Sequence, residues 1–335
     1  MTAISVRRLD IDRAKGLGIV LVVFGHLAAK SRPLGNDWFG YAQTAVYQFH
    51  MPFFMYLSGY VGMLVGAFAI RGAQWPALVV SRARRLLVPF VGFGLLLTFG
   101  KMLAVGVIHV DHPPESVATA LLGLFWYTDH SPAISVWYIG VLFVFSVVTP
   151  VLFWLAGSRL WPLALLGLVV IWLPVPPVFF ADKMAAFYIF FILGAICASF
   201  GDRWTDMVDR VSFAILPLFV ATVFLAVTYF DEIPQRVRLL ACGVLSIPAL
   251  HGLVRQSWLA GSKSLLHLGV FSFVIYLLNT PFIGLTKGLM LKAMPWDGRN
   301  FLIYLPLLMF AGLYGPILLK KSVFRHVPSL DRLTN

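Results

Sequence analysis

The sequence contains few charged residues, and acidic residues are the scarcer kind. Charged side chains make up 12% of 335 residues, and 26 Lys and Arg outnumber 14 Asp and Glu. Hydrophobic residues reach 60%, and the mean hydropathy is +0.87. A soluble domain of this length needs far more polar surface, so the composition excludes one and indicates a polytopic membrane protein.

Cysteine is also scarce, with only Cys197 and Cys242 in the chain. Both fall inside apolar runs, which excludes a disulfide framework and predicts two buried thiols. No small-residue cleavage site follows the first apolar run, so we expect it to be a retained span rather than a signal peptide. No repeat or low-complexity segment divides the chain, and we expect a single integral-membrane domain over residues 1–335.

Long apolar blocks indicate the fold class. About ten of them are long enough to cross the roughly 30 Å hydrocarbon core, where only helices or a closed barrel satisfy the backbone. The predicted fold is therefore all-α, a polytopic membrane helix bundle of about ten transmembrane helices. The predicted spans lie near residues 14–30, 44–68, 86–107, 134–156, 160–176, 184–200, 211–230, 237–254, 268–290 and 301–319.

The distribution of basic residues predicts the orientation. With ten spans both termini share one side, and most Lys and Arg fall on that side. We therefore expect cytoplasmic termini, an outward-facing loop at 108–133, and a multi-pass protein of the bacterial inner (plasma) membrane. The net charge of +12 suits basic loops facing anionic lipids, and no nucleic-acid partner is expected.

The first span contains an unusual pair of polar residues. Lys15 and His26 are eleven positions apart, which puts them on one helix face about 16 Å from each other. An ionisable side chain near mid-membrane is a candidate functional site, although a histidine bonded to another helix is the structural alternative. Asp12 lies three residues before Lys15, where a surface ion pair or a helix cap accounts for it.

The next two spans begin with conspicuous motifs. YQFHMPFFMYLSGY carries His50 near the outer surface, Pro52 as a kink, and Ser58-Gly59, where helices can approach closely. SRARRLLVPF places Arg82, Arg84 and Arg85 at an inner helix end. Topological anchoring explains any one arginine, whereas a cluster also suits a phosphate-bearing ligand, because guanidinium groups bind phosphate oxygens in pairs.

The loop after the third span holds the remaining cluster of polar residues. It contains His109, His112 and His130 with Asp111 and Asp129. No Cys and no regular helical ligand pair accompanies them, so we expect no metal site. A short interfacial helix bearing Trp126 and Tyr127 is the expected structure, and a glycan could rest on those rings.

Taken together, the motifs resemble those of integral-membrane acyltransferase family 3, whose members O-acylate cell-surface carbohydrates. The similarity covers nearly the whole chain. Its elements are a basic residue followed after ten residues by histidine (Lys15 and His26), HMPFFMYLSGY, Arg82 and Arg85 followed by LLVP, VWYIGVLF with Trp137 and Tyr138, and FFILGA at 190–195.

This resemblance implies a membrane O-acyltransferase, most simply an O-acetyltransferase, that transfers an acyl group from cytosolic acyl-CoA to a glycan or lipid-linked saccharide. Acetyl-CoA would be a substrate, and no permanently bound cofactor is expected. The catalytic candidates are His26 and Lys15, and the acyl-CoA-binding candidates are Arg82 and Arg85. Supporting or acceptor-side candidates are Asp12, His50, Ser58, Trp137, Tyr138 and Asn279.

Asn279 departs from the resemblance, because many relatives have histidine in the motif that SFVIYLLNTPF matches. An asparagine cannot act as a base near neutral pH, so we expect at most a substrate-orienting contact there.

Two questions stay open at the level of sequence. A neutral imidazole in an apolar setting can act as a base toward a sugar hydroxyl or become acylated as a nucleophile. A transporter or flippase of lipid-linked sugars is the rival function, since a helix bundle with a buried histidine also suits proton-coupled movement. The scarcity of buried acidic residues favours the enzyme.

Overall fold

The computed structural model describes residues 8–28, 33, 35–104, 116–128 and 131–334. In these ranges the protein is built from helices, and the sole β-type pairing is an isolated bridge between Tyr127 and Val178. The predicted all-α class is confirmed.

The α-helices are numbered here in chain order. They are α1 Leu9–His26, α2 Asp37–Tyr47, α3 His50–Leu64, α4 Trp75–Arg82, α5 Val88–Ala104, α6 Val117–Phe125, α7 Trp137–Leu155, α8 Trp161–Val170, α9 Ala181–Ser199, α10 Asp202–Thr228, α11 Gln235–Arg255, α12 Ser257–Ala260, α13 Lys263–Val270, α14 Ser272–Met290, α15 Gly298–Ser322 and α16 Pro328–Leu333. A π-helical segment, Ala83–Leu87, joins α4 to α5.

Seven helical segments in the described part of the chain are long and apolar enough to cross a membrane. They are Gly72–Leu103, Ile134–Leu155, Ala181–Ser199, Asp202–Thr228, Gln235–Arg255, Ser272–Met290 and Gly298–His326. The other three predicted spans correspond to α1, whose first two turns are charged, to the 15-residue α3 and to the 10-residue α8. A multi-pass bundle is therefore present, but the count of ten is not confirmed.

Two predicted spans have different boundaries in the structure. Helix α1 begins at Leu9 and ends at His26, so His26 is its last residue rather than near its middle. The predicted span 44–68 is broken into α2 and α3 between Tyr47 and His50. Pro52 supplies a reason, because it lacks the N–H that would continue the helix and is tolerated in a first turn.

Glycines set the closest helix contacts in the bundle. A Cβ at Gly59 of α3 would lie 1.7 Å from the Phe191 carbonyl oxygen, and one at Gly194 of α9 would lie 2.0 Å from the Tyr56 carbonyl oxygen. The predicted close approach at Ser58-Gly59 is confirmed, and the FFILGA segment supplies the facing glycine, Gly194. The α3–α9 pair is thereby closely packed, and both helices contribute residues to the buried core.

The first and last helices reach the same end of the bundle. Gly269 packs on the backbone of Asp12 in α1, and the ammonium group of Lys321 lies 5.1 Å from the ring centroid of Phe271, two residues after Gly269. This end carries the arginine segment as well, because α16 packs against the π-helical turn. We call it the basic end, and His26 lies toward the other end of α1.

Candidate active site

The side chain of His26 is held by an amide whose orientation is fixed. Asn279 Nδ2 donates hydrogen bonds to the Ile275 and Tyr276 carbonyl oxygens, both at 2.9 Å. Asn279 Oδ1 therefore faces His26, whose Nδ1 lies 2.7 Å away. Since an amide oxygen can only accept, Nδ1 of a neutral His26 carries the proton and Nε2 keeps its lone pair. This arrangement presents Nε2 as a base or nucleophile.

Helix α2 closes the end of α1 next to His26. The last carbonyls of a helix have no partner within it, and here Gly25 O accepts hydrogen bonds from Gln43 Nε2 and Tyr47 Oη, each at 2.8 Å. His50 is buried, donates from Nδ1 to Val46 O at 2.8 Å, and packs with its ring 5.1 Å from that of Tyr47. In the structure His50 is buried by neighbouring helices and caps the end of α2. Its predicted position near the outer membrane surface stays a prediction.

Hydrogen bonds link two further candidates, Ser58 and Tyr138, to α14. Ser58 Oγ lies 2.5 Å from Tyr138 Oη, and the backbone N–H of Tyr138 donates to Tyr276 Oη at 3.2 Å. Trp137 packs beside Tyr138 and against Phe187. Tyr276, one helical turn before Asn279, was not predicted as a site residue. It therefore connects the Ser58–Tyr138 pair to the helix that holds His26.

Lys15 lies apart from this cluster. Its ammonium group is 3.4 Å from Asp12 Oδ1, as expected for an ion pair three residues apart on a helix. The rise of α1 puts Lys15 about 16 Å from His26 along the axis. The two side chains therefore cannot act on the same reacting atoms.

The arginine motif adopts an unusual backbone. Pro89 has no N–H to bond to the carbonyl of Arg85, and the Val88 N–H instead reaches back five residues to Ala83 O. The result is a π-helical turn, a feature often found at functional sites. Arg82 is half-buried, whereas Arg84 and Arg85 are exposed on this turn.

A cavity of about 800 Å³ opens beside this turn. Its lining includes Ser81, Arg84, Arg85 and, from the C-terminal helix, Arg332. Arg82, a predicted donor-binding residue, does not line it. The cavity can hold an anion with an apolar part, because its remaining lining is aliphatic: Pro76, Ala77, Val80, Val88 and Leu333.

A buried polar network near the basic end was not predicted. Tyr56 Oη lies 2.7 Å from His251 Nδ1 and accepts from Trp204 Nε1 at 3.0 Å. His251 Nε2 lies 3.4 Å from Asp10 Oδ2, which Arg255 also contacts at 3.0 Å. Asp10, His251 and Arg255 were not among the residues singled out in the sequence, because their pairing depends on helices that are distant along the chain. The network joins α1, α3, α10 and α11.

No cluster of three or more His, Cys, Asp or Glu that could hold a metal occurs in the described ranges. The histidines and aspartates of the 108–133 loop lie outside those ranges. Cys197 and Cys242 are free and buried, as predicted.

Comparison with known proteins identifies the family. The model of the acyltransferase domain of acyltransferase family 3 matches residues 8–321. This chain belongs to that family. No solved structure matches it significantly.

Two relatives resemble one part of this family-3 chain. The nodulation protein NolL of Mesorhizobium japonicum is 31% identical over 124 residues, which are 36% of this chain and 32% of NolL. NolL of Sinorhizobium fredii is 31% identical over 126 residues, 36% of this chain and 33% of its own length. The chain thus covers about a third of the length of these curated relatives.

For this family-3 acyltransferase domain, the structure gives each predicted residue a location but not a role. It brings His26 and Asn279 together at one end of α1, next to Tyr47 and His50. A second group, Ser58, Tyr138 and Trp137, lies beside Tyr276 of α14. It leaves Lys15, Asp12, Arg82 and Arg85 toward the basic end. Asn279 contacts His26, and its predicted substrate contact stays a prediction.

Proposed function

We propose that the protein is an O-acyltransferase, most simply an O-acetyltransferase, of the bacterial inner membrane. It transfers an acyl group from cytosolic acyl-CoA to a hydroxyl of a cell-surface or lipid-linked glycan. Family membership supports the reaction class. The observation that carries the mechanism is the Asn279–His26 hydrogen bond, which leaves Nε2 free to react.

The acyl donor binds with its phosphates at the basic end. Arg82 and Arg85 supply guanidinium groups there, with Lys15 as a further cation. Because Lys15 and His26 lie about 16 Å apart along α1, the thioester reaches His26 only through an extended arm. The pantetheine arm of coenzyme A is such an arm.

In the first route His26 is the general base. Nε2 takes the proton of the acceptor hydroxyl while that oxygen forms a bond to the thioester carbonyl carbon. The carbon–sulfur bond then breaks, and the departing thiolate takes the proton from the imidazolium. The products are the O-acyl glycan and free coenzyme A, and Asn279 stabilises the imidazolium through Nδ1–H.

In the second route Nε2 is the nucleophile. It forms a bond to the thioester carbonyl carbon as the carbon–sulfur bond breaks, which gives an acylimidazolium and the coenzyme A thiolate. The glycan hydroxyl oxygen then bonds to the acyl carbon, the bond from that carbon to Nε2 breaks, and the hydroxyl proton passes to the thiolate. Trapping label on the protein when acceptor is absent, and finding it on His26, selects this route over the first.

The acceptor site is expected on the outer side. Trp126 and Tyr127 follow α6 and are 46% and 55% exposed. The ring centroid of Trp126 lies 4.8 Å from that of Phe179, which steadies the indole. Exposed aromatic faces of this kind suit a sugar ring.

The test uses protein reconstituted in nanodiscs with radiolabelled acetyl-CoA and membrane glycolipid. His26→Gln should fold, bind donor and lose about 10² to 10⁴ in transfer rate, the usual value of proton transfer. His326→Gln, at an exposed histidine near the C-terminus, is the matched control and should transfer normally. Near-normal transfer by His26→Gln would refute the mechanism, and no label on glycolipid with wild-type protein would favour the transporter.

A further inference from the structure

The cavity beside the arginine turn has a third basic side chain that the family match does not include. Arg332 lies in α16, whereas the match ends at residue 321. Arg332 lines the same cavity as Arg84 and Arg85. The three guanidinium groups come from two segments about 250 residues apart, so their meeting is a property of the folded chain.

Helix α16 is fixed in this position by buried contacts. Lys320 Nζ donates to Thr334 O at 2.7 Å and lies 4.0 Å from Asp331 Oδ1. Thr334 is 2% exposed, and Phe324, in the turn that leads to α16, is also buried. The short helix is therefore held on the bundle with Arg332 at the cavity.

The guanidinium of Arg332 is available to a ligand. Its Nε donates to Pro328 O at 3.2 Å, which orients the group and leaves both terminal nitrogens for a bidentate contact. Arg332 is exposed, and no carboxylate lines the cavity in the described part of the chain. The electrostatic character of the cavity is thus strongly positive.

We propose that Arg332 and Arg84 complete, with Arg85, the binding site for the phosphates of the acyl-CoA donor, so that the C-terminal helix is part of the donor site. This rests on the proposed function. Three guanidinium groups around one cavity match coenzyme A, which carries a diphosphate and a separate phosphate. A phospholipid diester carries one phosphate and matches the cavity less well. The aliphatic lining contacts the adenosine or the start of the pantetheine arm.

The experiment measures the Kd of coenzyme A for full-length protein in nanodiscs of neutral lipid and in nanodiscs that contain phosphatidylglycerol. Arg332→Gln should weaken coenzyme A binding about tenfold or more, as expected for a lost charge-assisted hydrogen bond. Arg332→Lys should recover part of the affinity, because lysine keeps the positive charge but cannot donate two parallel hydrogen bonds to a phosphate. Arg325→Gln, also exposed but outside the cavity, is the control and should bind normally.

A donor without phosphates separates this role from a general effect on the enzyme. Turnover of S-acetylpantetheine should be the same for wild type and Arg332→Gln. Wild-type affinity for coenzyme A in Arg332→Gln would overturn the inference while leaving the proposed function intact. If Arg332→Gln weakens coenzyme A binding only in phosphatidylglycerol discs, the site belongs to a lipid headgroup, and the inference is overturned as well. Failure of wild-type protein to bind coenzyme A would remove the proposed function itself.

Discussion

At the scale of single residues, Asn279 determines which ring nitrogen of a neutral His26 carries the proton. It has no acid–base chemistry near neutral pH, yet its two bonds to backbone carbonyls fix which of its ends faces the imidazole. A histidine at this position would have no such fixed polarity, because each of its ring nitrogens can either donate or accept. The asparagine therefore acts as a positioning residue for the His26 tautomer.

Replacing Asn279 by Leu should remove this control at similar side-chain volume. We expect kcat to fall by about 10²- to 10⁴-fold, the range of general acid–base catalysis, since a histidine in the wrong tautomer cannot present the required nitrogen. The donor KM should change little, because the phosphate contacts that we propose lie at the basic end. Steady-state kinetics in nanodiscs measure both values, and Thr280→Val is the neighbouring control, because Thr280 donates to Ser135 instead. An unchanged kcat for Asn279→Leu would contradict the role.

The sequence pointed to His26 but not to what holds it. An ionisable residue in an apolar run is visible locally, whereas the His26–Asn279 contact joins positions 253 apart. His251 was missed for a related reason, because its partners Tyr56 and Asp10 come from two other helices. A single sequence shows an unusual residue such as an ionisable side chain in an apolar run. The partner of that residue can be identified only from the packed helices.

At the scale of helices, the α3–α9 contact leaves no room for a Cβ. Gly194→Ala would place one 2.0 Å from Tyr56 O and 2.7 Å from Tyr60 N, both backbone atoms that cannot move alone. We expect the two helices to separate and stability to fall by about 1–3 kcal/mol. The Tm in detergent, followed by intrinsic fluorescence, measures this loss.

Gly92→Ala is the matched control for that measurement. Gly92 also lies within a helix, but a Cβ there meets nothing within 4 Å. Alanine favours a helix over glycine, so Tm should stay constant or rise slightly. If Tm fell equally in Gly194→Ala and Gly92→Ala, the close approach of α3 and α9 would not be what limits stability.

Helix existence was predictable from the sequence, and helix boundaries were less so. Apolar blocks gave the approximate place of each long helix, because hydrocarbon thickness sets their length. The charged start of α1 was assigned to the flank, although Asp10 is paired within the bundle and lets the helix begin at Leu9. The π turn after Arg82 follows from Pro89, a residue whose effect on hydrogen bonding has no hydropathy signature.

At the scale of the whole molecule, one carboxylate joins distant helices. Asp10 contacts Arg8, His251 and Arg255, and Arg255 also contacts Asp209 in α10. The Asp10 side chain is 11% exposed, and that of His251 is fully buried. Removing one charged member of such a group leaves the opposite charges of the others buried without a partner.

Asp10→Asn should therefore destabilise the protein by roughly 3 kcal/mol, the usual effect of breaking a buried ion pair. Asp202→Asn is the control, because Asp202 has a side chain 94% exposed and only a distant contact with Arg8. It should leave Tm unchanged, since surface ion pairs contribute little. If both variants melt like the wild type, the buried network is not a source of stability.

The sequence separation of the His26–Asn279 bond has a consequence for synthesis of the protein. His26 leaves the ribosome before Asn279, which follows it by 253 positions. Until α14 has entered the bundle, a growing chain holds a histidine without a fixed tautomer. Chains that stop before α14 would thus contain the proposed catalytic histidine without the asparagine that fixes its tautomer, and we expect such chains not to consume acyl-CoA.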